Sequence, residues 1–367
     1  MWRLAVALAG CGFSNSVSGV VVDAPADDSM MNGGEPTIIT TGFRRTLDVN
    51  DGLVSGSHTN FPMLVDLSGT WLRTEANGGR VKFDDSRDIR FSADADGTAL
   101  LVHEVEAYSP TNGELRAWIR VPTLSSSTVI YMHYGDPAAT ASGDPKTVWT
   151  TSGFAGVWHM HDPIADASGQ NTAVTIAQTS AMTGKIGGGR RFDGSSGSID
   201  VGSAAVIDDI FMGGGTVEAW FNMEGPGENG AGRIVEKGGW TITFQNDRLR
   251  FYFDWTGSDG DWETPAAPSV NNWHHVAIIY AVGNTASIYL DGTLATNTVS
   301  TPTGTPFNDA NDPLKIGNRP QDDRTFNGIL DELRFSTGSR MPGWITTSYQ
   351  NQLAPRTFVV PGPEEAH

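Results

Sequence analysis

From Glu114 to Val121 the chain alternates without a break. Leu115, Ala117, Ile119 and Val121 share one side, and Glu114, Arg116, Trp118 and Arg120 the other. A two-residue period is the signature of a half-buried strand, because successive side chains point to opposite faces of a sheet. The same period returns in Gly215–Met223, with Val217, Ala219 and Phe221 aligned. It returns again in Arg248–Trp255, where Leu249, Phe251, Phe253 and Trp255 oppose Arg248, Arg250, Tyr252 and Asp254. Thr128–Tyr134 is apolar on both faces, as a central strand requires. Asn112-Gly113 and Asp291-Gly292 fall between such runs, where hairpins need residues that tolerate positive φ. The 44 glycines are spread through the chain, which suits many tight turns rather than long helices.

Many short strands at this spacing predict an all-β chain: two antiparallel β-sandwich (jelly-roll) domains in tandem. One short helix is expected at Pro342–Leu353, with Trp344, Ile345 and Tyr349 at helical spacing. The expected boundaries are a lipoprotein-type signal segment at 1–11, a flexible linker at 12–40 and a first sandwich at 41–137. A connection at 138–153, a second sandwich at 154–355 and a disordered tail at 356–367 complete the chain.

Two resemblances accompany this pattern. Thr59–Val65, Asp88–Phe91, Ala95–Thr98 and Leu115–Pro122 followed by Ile130–Pro137 occur in order. Together they resemble the bacterial domain-of-unknown-function family 2341, whose members are secreted or surface proteins with no established activity. Gly188–Val201, Thr216–Phe221, Asn272–Ala277, Tyr289–Gly292 and Phe326–Phe335 resemble the laminin-G/concanavalin A-like lectin-glucanase jelly roll. That fold hosts lectins, adhesion modules and glycanases alike, so the resemblance implies architecture more strongly than ligand.

Charge and cysteine content narrow the partners. With 42 acidic against 24 basic residues the formal charge is −18, a field that repels phosphate backbones and anionic lipid surfaces. Nucleic acid is therefore not an expected partner, whereas cations are favoured. Cys11 is the one cysteine, so no intramolecular disulfide forms. Leu8-Ala9-Gly10-Cys11 resembles a bacterial lipobox, implying lipidation of Cys11 and an outer-membrane, cell-surface or secreted location. Membrane contact is then expected only through the lipid anchor.

Candidate site residues follow. Asp254, Asp259 and Asp261 lie between Trp255 and Trp262, a loop whose aromatic faces and carboxylates suit a sugar; the alternative is a solvated hairpin with its tryptophans packed on the sandwich. Alternation places Asp331 on the face shared by Ile329, Leu333 and Phe335, and Trp158-x-Met160-x-Asp162 raises the same question for Asp162. A carboxylate facing a core is costly unless paired or metal-bound. A structural calcium held by Asp162 and Asp331, with Asp193 and Asp200 as further candidates, is the expectation; turn capping is the alternative. His159-x-His161 could begin a zinc site but has no further His or Cys close in sequence. Glu104 and Glu106 share a strand face that alternation reads as solvated. Asp331 and Glu332 point to opposite faces unless a bulge intervenes. No catalytic carboxylate pair is found. The resulting expectation is a non-catalytic binding protein for a glycan or extracellular protein. A structural building block and a glycan-active enzyme are the alternatives.

Overall fold

The computed structural model describes Ile39 and residues 41–140, 143–281 and 283–367. Cys11, the expected signal segment and the expected linker apart from Ile39 lie outside the described residues.

The first half pairs its strands into two antiparallel sheets. In one, Phe43–Val49 lies beside Val129–Tyr134, which continues to Arg90–Ser92 and Leu100–Leu101. In the other, Glu114–Leu124 is central between His58–Ser68 and His103–Ser109. The alternation read from Glu114–Val121 holds, since Leu115, Ala117, Ile119 and Val121 are all buried. Trp118, on the opposite face, is buried as well. The outer face of this sheet is therefore covered rather than wet.

What covers it is the second half. This is a sandwich of two eight-stranded antiparallel sheets. The inner sheet centres on Asn327–Ser336 and Gly215–Met223, continuing through Trp273–Ala281 and Thr285–Leu290. The outer sheet runs through Gly260–Glu263, Arg248–Phe253, Trp240–Gln245 and Arg233–Lys237 to Leu314–Ile316. Between the sheets lies an apolar core that includes Phe221, Trp240, Phe251, Trp262, Leu330 and Phe335. The outward face of the inner sheet packs on the first half: Ala277, Ile279 and Tyr289 join Met63, Val65, Trp118 and Trp149 in a second core. The described residues thus form one compact unit.

The helix expected at Pro342–Leu353 is present with those limits and opens on proline, whose fixed φ suits a first turn. It buries Trp344 and Ile345 in the second core.

The tail corrects an expectation. Residues 356–367 are not disordered. Val359–Pro361 pairs with Leu47–Val49, and Glu365–Ala366 with Phe43 and Arg44. Pro361 and Pro363 do not prevent this, because an edge strand can face its missing N–H outward. The Tyr134 hydroxyl donates to Glu364 at 2.8 Å, and the Gly362 N–H donates to the Thr46 carbonyl at 2.9 Å.

One irregularity positions the chemistry. Across from Glu218–Trp220, the strand Asn327–Ser336 carries an extra residue, and Glu332 takes a φ of 50°. On its other edge the partner changes at the same place, from Arg190–Asp193, which ends at Leu330, to Phe154–Trp158, which begins at Leu333. Because of the bulge, Leu330, Leu333 and Phe335 all enter the sandwich core. Asp331 and Glu332 fall together on the opposite face, toward the first half. The expectation that Asp331 shares a face with Leu333 and Phe335 is therefore corrected.

Candidate functional site

The outward face of the outer sheet is open. Alternation along Arg248–Phe253 sends Leu249, Phe251 and Phe253 inward and leaves Arg248, Arg250 and Tyr252 outside. On the neighbouring strand Trp240, Ile242 and Phe244 go inward, and Thr241 and Thr243 outward. Arg233, Thr241, Thr243, Gln245, Arg250 and Tyr252 line a shallow groove of about 160 Å³. Its cations are held in place. Arg233 Nε donates to Glu236 at 2.7 Å and its terminal nitrogen to the Thr243 hydroxyl. Arg250 is clamped by both oxygens of Asp261. The Tyr252 hydroxyl donates to Asp259. This surface offers fixed guanidiniums, the Gln245 amide and one aromatic side chain, groups able to meet a polyhydroxylated ligand without first reorganising, while the Thr241 and Thr243 hydroxyls beneath them are buried and donate to the Val235 and Gly232 carbonyls.

The Asp/Trp loop lies at one end of this groove, with its roles redistributed. Trp262 is 1% exposed inside the sandwich core, so its expected part in ligand stacking is corrected: it follows the inward side of its strand. Trp255 is partly buried against the same core. Asp261 is buried and paired with Arg250. Asp259 accepts the Trp255 N–H at 2.8 Å, shaping the turn. Asp254 is half-buried, and burial, with Asp259 beside it, raises its carboxyl above the usual range. Tyr252, which the sequence reading placed on the polar side without assigning it a role, is the aromatic residue facing the groove.

The four aspartates expected to hold calcium do not converge. Asp162 is largely exposed and bound to Arg190 at 2.5 Å. Asp193 caps its own turn through the Ser195 and Ser196 N–H groups, which outweigh burial and bring its carboxyl down to about 2. Asp200 accepts the Gly202 N–H at 2.8 Å and lies 3.4 Å from Lys315. Asp331 is wholly buried and accepts the Ile186 N–H at 2.8 Å. Asp193, Asp200 and Asp331 follow the alternative of accepting backbone N–H groups, Asp162 pairs with Arg190 instead, and as a set they do not fit a calcium cage.

An oxygen-rich pocket does exist at the end of the sandwich, and a side-chain cation fills it. Lys237 is fully buried; its ammonium lies 2.7–2.8 Å from the Asp309 and Asp312 carbonyls, 2.8 Å from Asp208 Oδ1 and 3.1 Å from Asp309 Oδ1.

The junction between the halves holds a second polar cluster. His159 Nδ1 meets Glu332 Oε1 at 2.7 Å, and His159 Nε2 lies 3.5 Å from Glu104 Oε2. Arg334 donates to Glu332 Oε2 at 2.6 Å, the Trp118 N–H donates to Glu106 Oε2 at 2.8 Å and the Trp149 N–H to Glu104 Oε2 at 2.6 Å. Arg334 also covers the Trp118 ring at 4.2 Å. The expectation that Glu104 and Glu106 form a solvated face is corrected, since the second half buries that face. Burial pushes Glu106 up to about 7, helped by Glu332, against the pull of His159. Burial disfavours the His159 cation, but Glu332 and Glu104 outweigh it and raise the imidazole above its ordinary value. The cluster is not legible in any one stretch of sequence because its members come from five separate segments; the signals available were the His159-x-His161 pair and the adjacent Asp331 and Glu332.

Comparisons with known proteins follow the two halves. Residues 85–181 match the Domain of unknown function (DUF2341) family, and residues 193–346 match the Concanavalin A-like lectin/glucanases superfamily. Both resemblances drawn from the sequence are thus found, with the first reaching past Pro137 and beginning after Thr59–Val65. No curated protein matches the chain. Among solved structures, the binding domain of Paraclostridial Mosquitocidal Protein 1 is similar at 17% identity and a TM-score of 0.46, over 54% of this chain and 52% of that one. Domain 4 of AbnA, a GH43 extracellular arabinanase from Geobacillus stearothermophilus in complex with arabinotriose, gives 18% identity and a TM-score of 0.40, over 53% and 96%. The binding domain of botulinum neurotoxin serotype G gives 13% and 0.44, over 54% and 51%. The matched region spans about half the length of the two toxin binding domains.

Proposed function

We propose that this chain is a non-catalytic extracellular binding protein whose jelly roll recognises a glycan across the outer sheet. The observation that carries this reading is the groove of Arg233, Thr241, Thr243, Gln245, Arg250 and Tyr252. Its polar groups are fixed before a ligand arrives, which lowers the ordering cost of binding. Sugar hydroxyls pair with the Gln245 amide and the guanidinium groups, and a sugar ring packs on Tyr252. The reading is non-catalytic because the carboxylates around Asp254 are engaged, Glu236 by Arg233, Asp261 by Arg250, and Asp259 by Tyr252 and a backbone N–H, which leaves Asp254 without a second free carboxylate. Glycoside hydrolysis calls instead for two carboxyl groups facing one bond.

The test is a screen of the full chain against immobilised neutral and acidic oligosaccharides, followed by calorimetry on the hits. Tyr252→Ala is expected to weaken binding at least tenfold with little change in melting temperature; Arg250→Ala should weaken it as much and also lower the melting temperature, because it strands the buried Asp261. Binding unchanged in both variants, or no oligosaccharide bound at all, would sink this reading in favour of a protein ligand or a building-block role. Export with lipidation at Cys11 completes the proposal. Metabolic labelling with a radioactive fatty acid should mark the wild-type chain and not Cys11→Ser; equal labelling of both would refute it.

A further inference from the structure

Three side chains at the junction each turn one atom toward a common point. A carboxylate oxygen of Glu106, a ring nitrogen of His159 and a carboxylate oxygen of Glu332 all lie within 4.8 Å of one another. Glu106 comes from the first half; His159 and Glu332 come from the jelly roll. The three side chains are almost sealed from solvent, with exposures of 2%, 4% and 0%.

Their remaining atoms are held from behind. Glu106 Oε2 receives the Trp118 N–H at 2.8 Å. Glu332 Oε2 receives Arg334 at 2.6 Å. His159 Nε2 is turned to Glu104 at 3.5 Å, and Glu104 is itself fixed by Trp149 at 2.6 Å. Metal-binding histidines and carboxylates are oriented by such an outer layer, in which the unused ring nitrogen faces a carboxylate. A second observation points to a missing partner. Asp331, next to Glu332 on the bulge, is wholly buried; Oδ2 accepts the Ile186 N–H, and Oδ1 makes no hydrogen bond. Buried polar atoms in native proteins are almost always satisfied, so this orphan beside Glu332 calls for a ligand or water.

We propose that Glu106, His159 and Glu332 bind a divalent transition ion of the zinc class that staples the two β units together. One imidazole with carboxylates is a borderline donor set, suited to Zn²⁺ and its neighbours rather than to calcium, which prefers six to eight oxygens. Zinc ligands lie about 2.0–2.2 Å from the ion. The 2.7 Å separation of His159 Nδ1 and Glu332 Oε1 must therefore open by several tenths of an ångström. The proton shared between these two atoms leaves to solvent as the ion enters, so uptake releases it. The site is enclosed, as structural zinc sites are, and its ion couples to folding because its ligands come from both units.

The test uses the full chain stripped with chelator and dialysed. Zn²⁺ and Co²⁺ are added separately, with Ca²⁺ as the control. The expected result is one equivalent of Co²⁺ with visible ligand-field bands, displaced by Zn²⁺, and a melting temperature raised by several degrees with Zn²⁺. Glu106→Gln keeps the size of the side chain and an acceptor for Trp118; it should retain a folded spectrum and lose at least tenfold in metal affinity. His159→Asn should abolish the bands. No Co²⁺ or Zn²⁺ uptake by the wild type, uptake unaltered in both variants, or stabilisation by Ca²⁺ alone would each overturn the assignment. Glycan binding at the distant groove is read separately, so failure of one proposal leaves the other standing.

Discussion

Asn351 closes both backbone hydrogen bonds of Leu64: its amide donates to the Leu64 carbonyl at 2.9 Å, and its own carbonyl accepts the Leu64 N–H at 2.7 Å. Leu64 lies in His58–Ser68, an edge strand of its sheet. An edge strand presents unpaired backbone groups, and covering it is one way to prevent mispairing. Here a side chain from the C-terminal helix stands in for a neighbouring strand.

Asn351→Leu is therefore expected to destabilise the fold by roughly 2–5 kcal/mol, because two buried backbone groups lose their partners together. Urea denaturation should show a lower midpoint with an unchanged slope. A loss below about 0.5 kcal/mol would show that water or a shifted helix replaces Asn351.

Lys237 supports a second prediction. Its ammonium occupies a closed pocket of oxygens from Asp208, Asp309 and Asp312. Removing one member of a buried ion pair costs about 3–5 kcal/mol, since the remaining charge is stranded. Lys237→Ala should lower the melting temperature in chelator and recover part of it in millimolar Ca²⁺, which takes over as the cation. The wild type should show no such recovery at this pocket. Equal responses of variant and wild type to Ca²⁺ would contradict the substitution of an ammonium for a metal.

Much of this fold is legible in the sequence because it is written in alternation. Leu249, Phe251 and Phe253 had to face one way, and the helix at Pro342–Leu353 is marked by Trp344, Ile345 and Tyr349 at helical spacing. The candidate site is less legible. Trp262 looked available for a ligand, but the inward side of its short strand claims it for the core. Asp331 and Glu332 were assigned opposite faces, and the bulge that unites them depends on the register against Glu218–Trp220. Register belongs to the pair of strands and not to either sequence alone. Glu104 and Glu106 appeared solvated for a related reason: the surface that buries them lies in the other half of the chain.

The C-terminal segment offers a third prediction. Deleting residues 359–367 removes the pairing with Leu47–Val49 and the Tyr134–Glu364 hydrogen bond. It also uncovers the edge of Phe43–Val49. The truncated chain should melt at a lower temperature and self-associate at concentrations where the full chain stays monodisperse, as light scattering would report. Full-length stability in the truncated chain would show that the tail strand is dispensable.

The last prediction concerns pH. His274 Nδ1 and Asp291 Oδ2 are 2.7 Å apart at the end of a jelly-roll hairpin. The hydrogen bond that its ring N–H donates to Asp291 raises His274 above 6.5. Burial pushes the Asp291 carboxyl up, but His274 and the His275 N–H outweigh it and hold it below 3.8. For His274 the stabilisation is complete below 6.5 and disappears as pH rises through its raised value. For Asp291 it is complete above 3.8 and disappears as pH falls through its lowered value. The pair therefore contributes fully between about pH 4 and 6.5. Since both groups are only half-buried, that contribution should stay near or below about 1 kcal/mol. The difference in melting temperature between wild type and Asp291→Asn should be greatest in that window and shrink toward pH 9. A difference that instead stays level from pH 6.5 to 9 would mean that Asp291 stabilises the hairpin through its backbone hydrogen bond alone, with His274 neutral throughout.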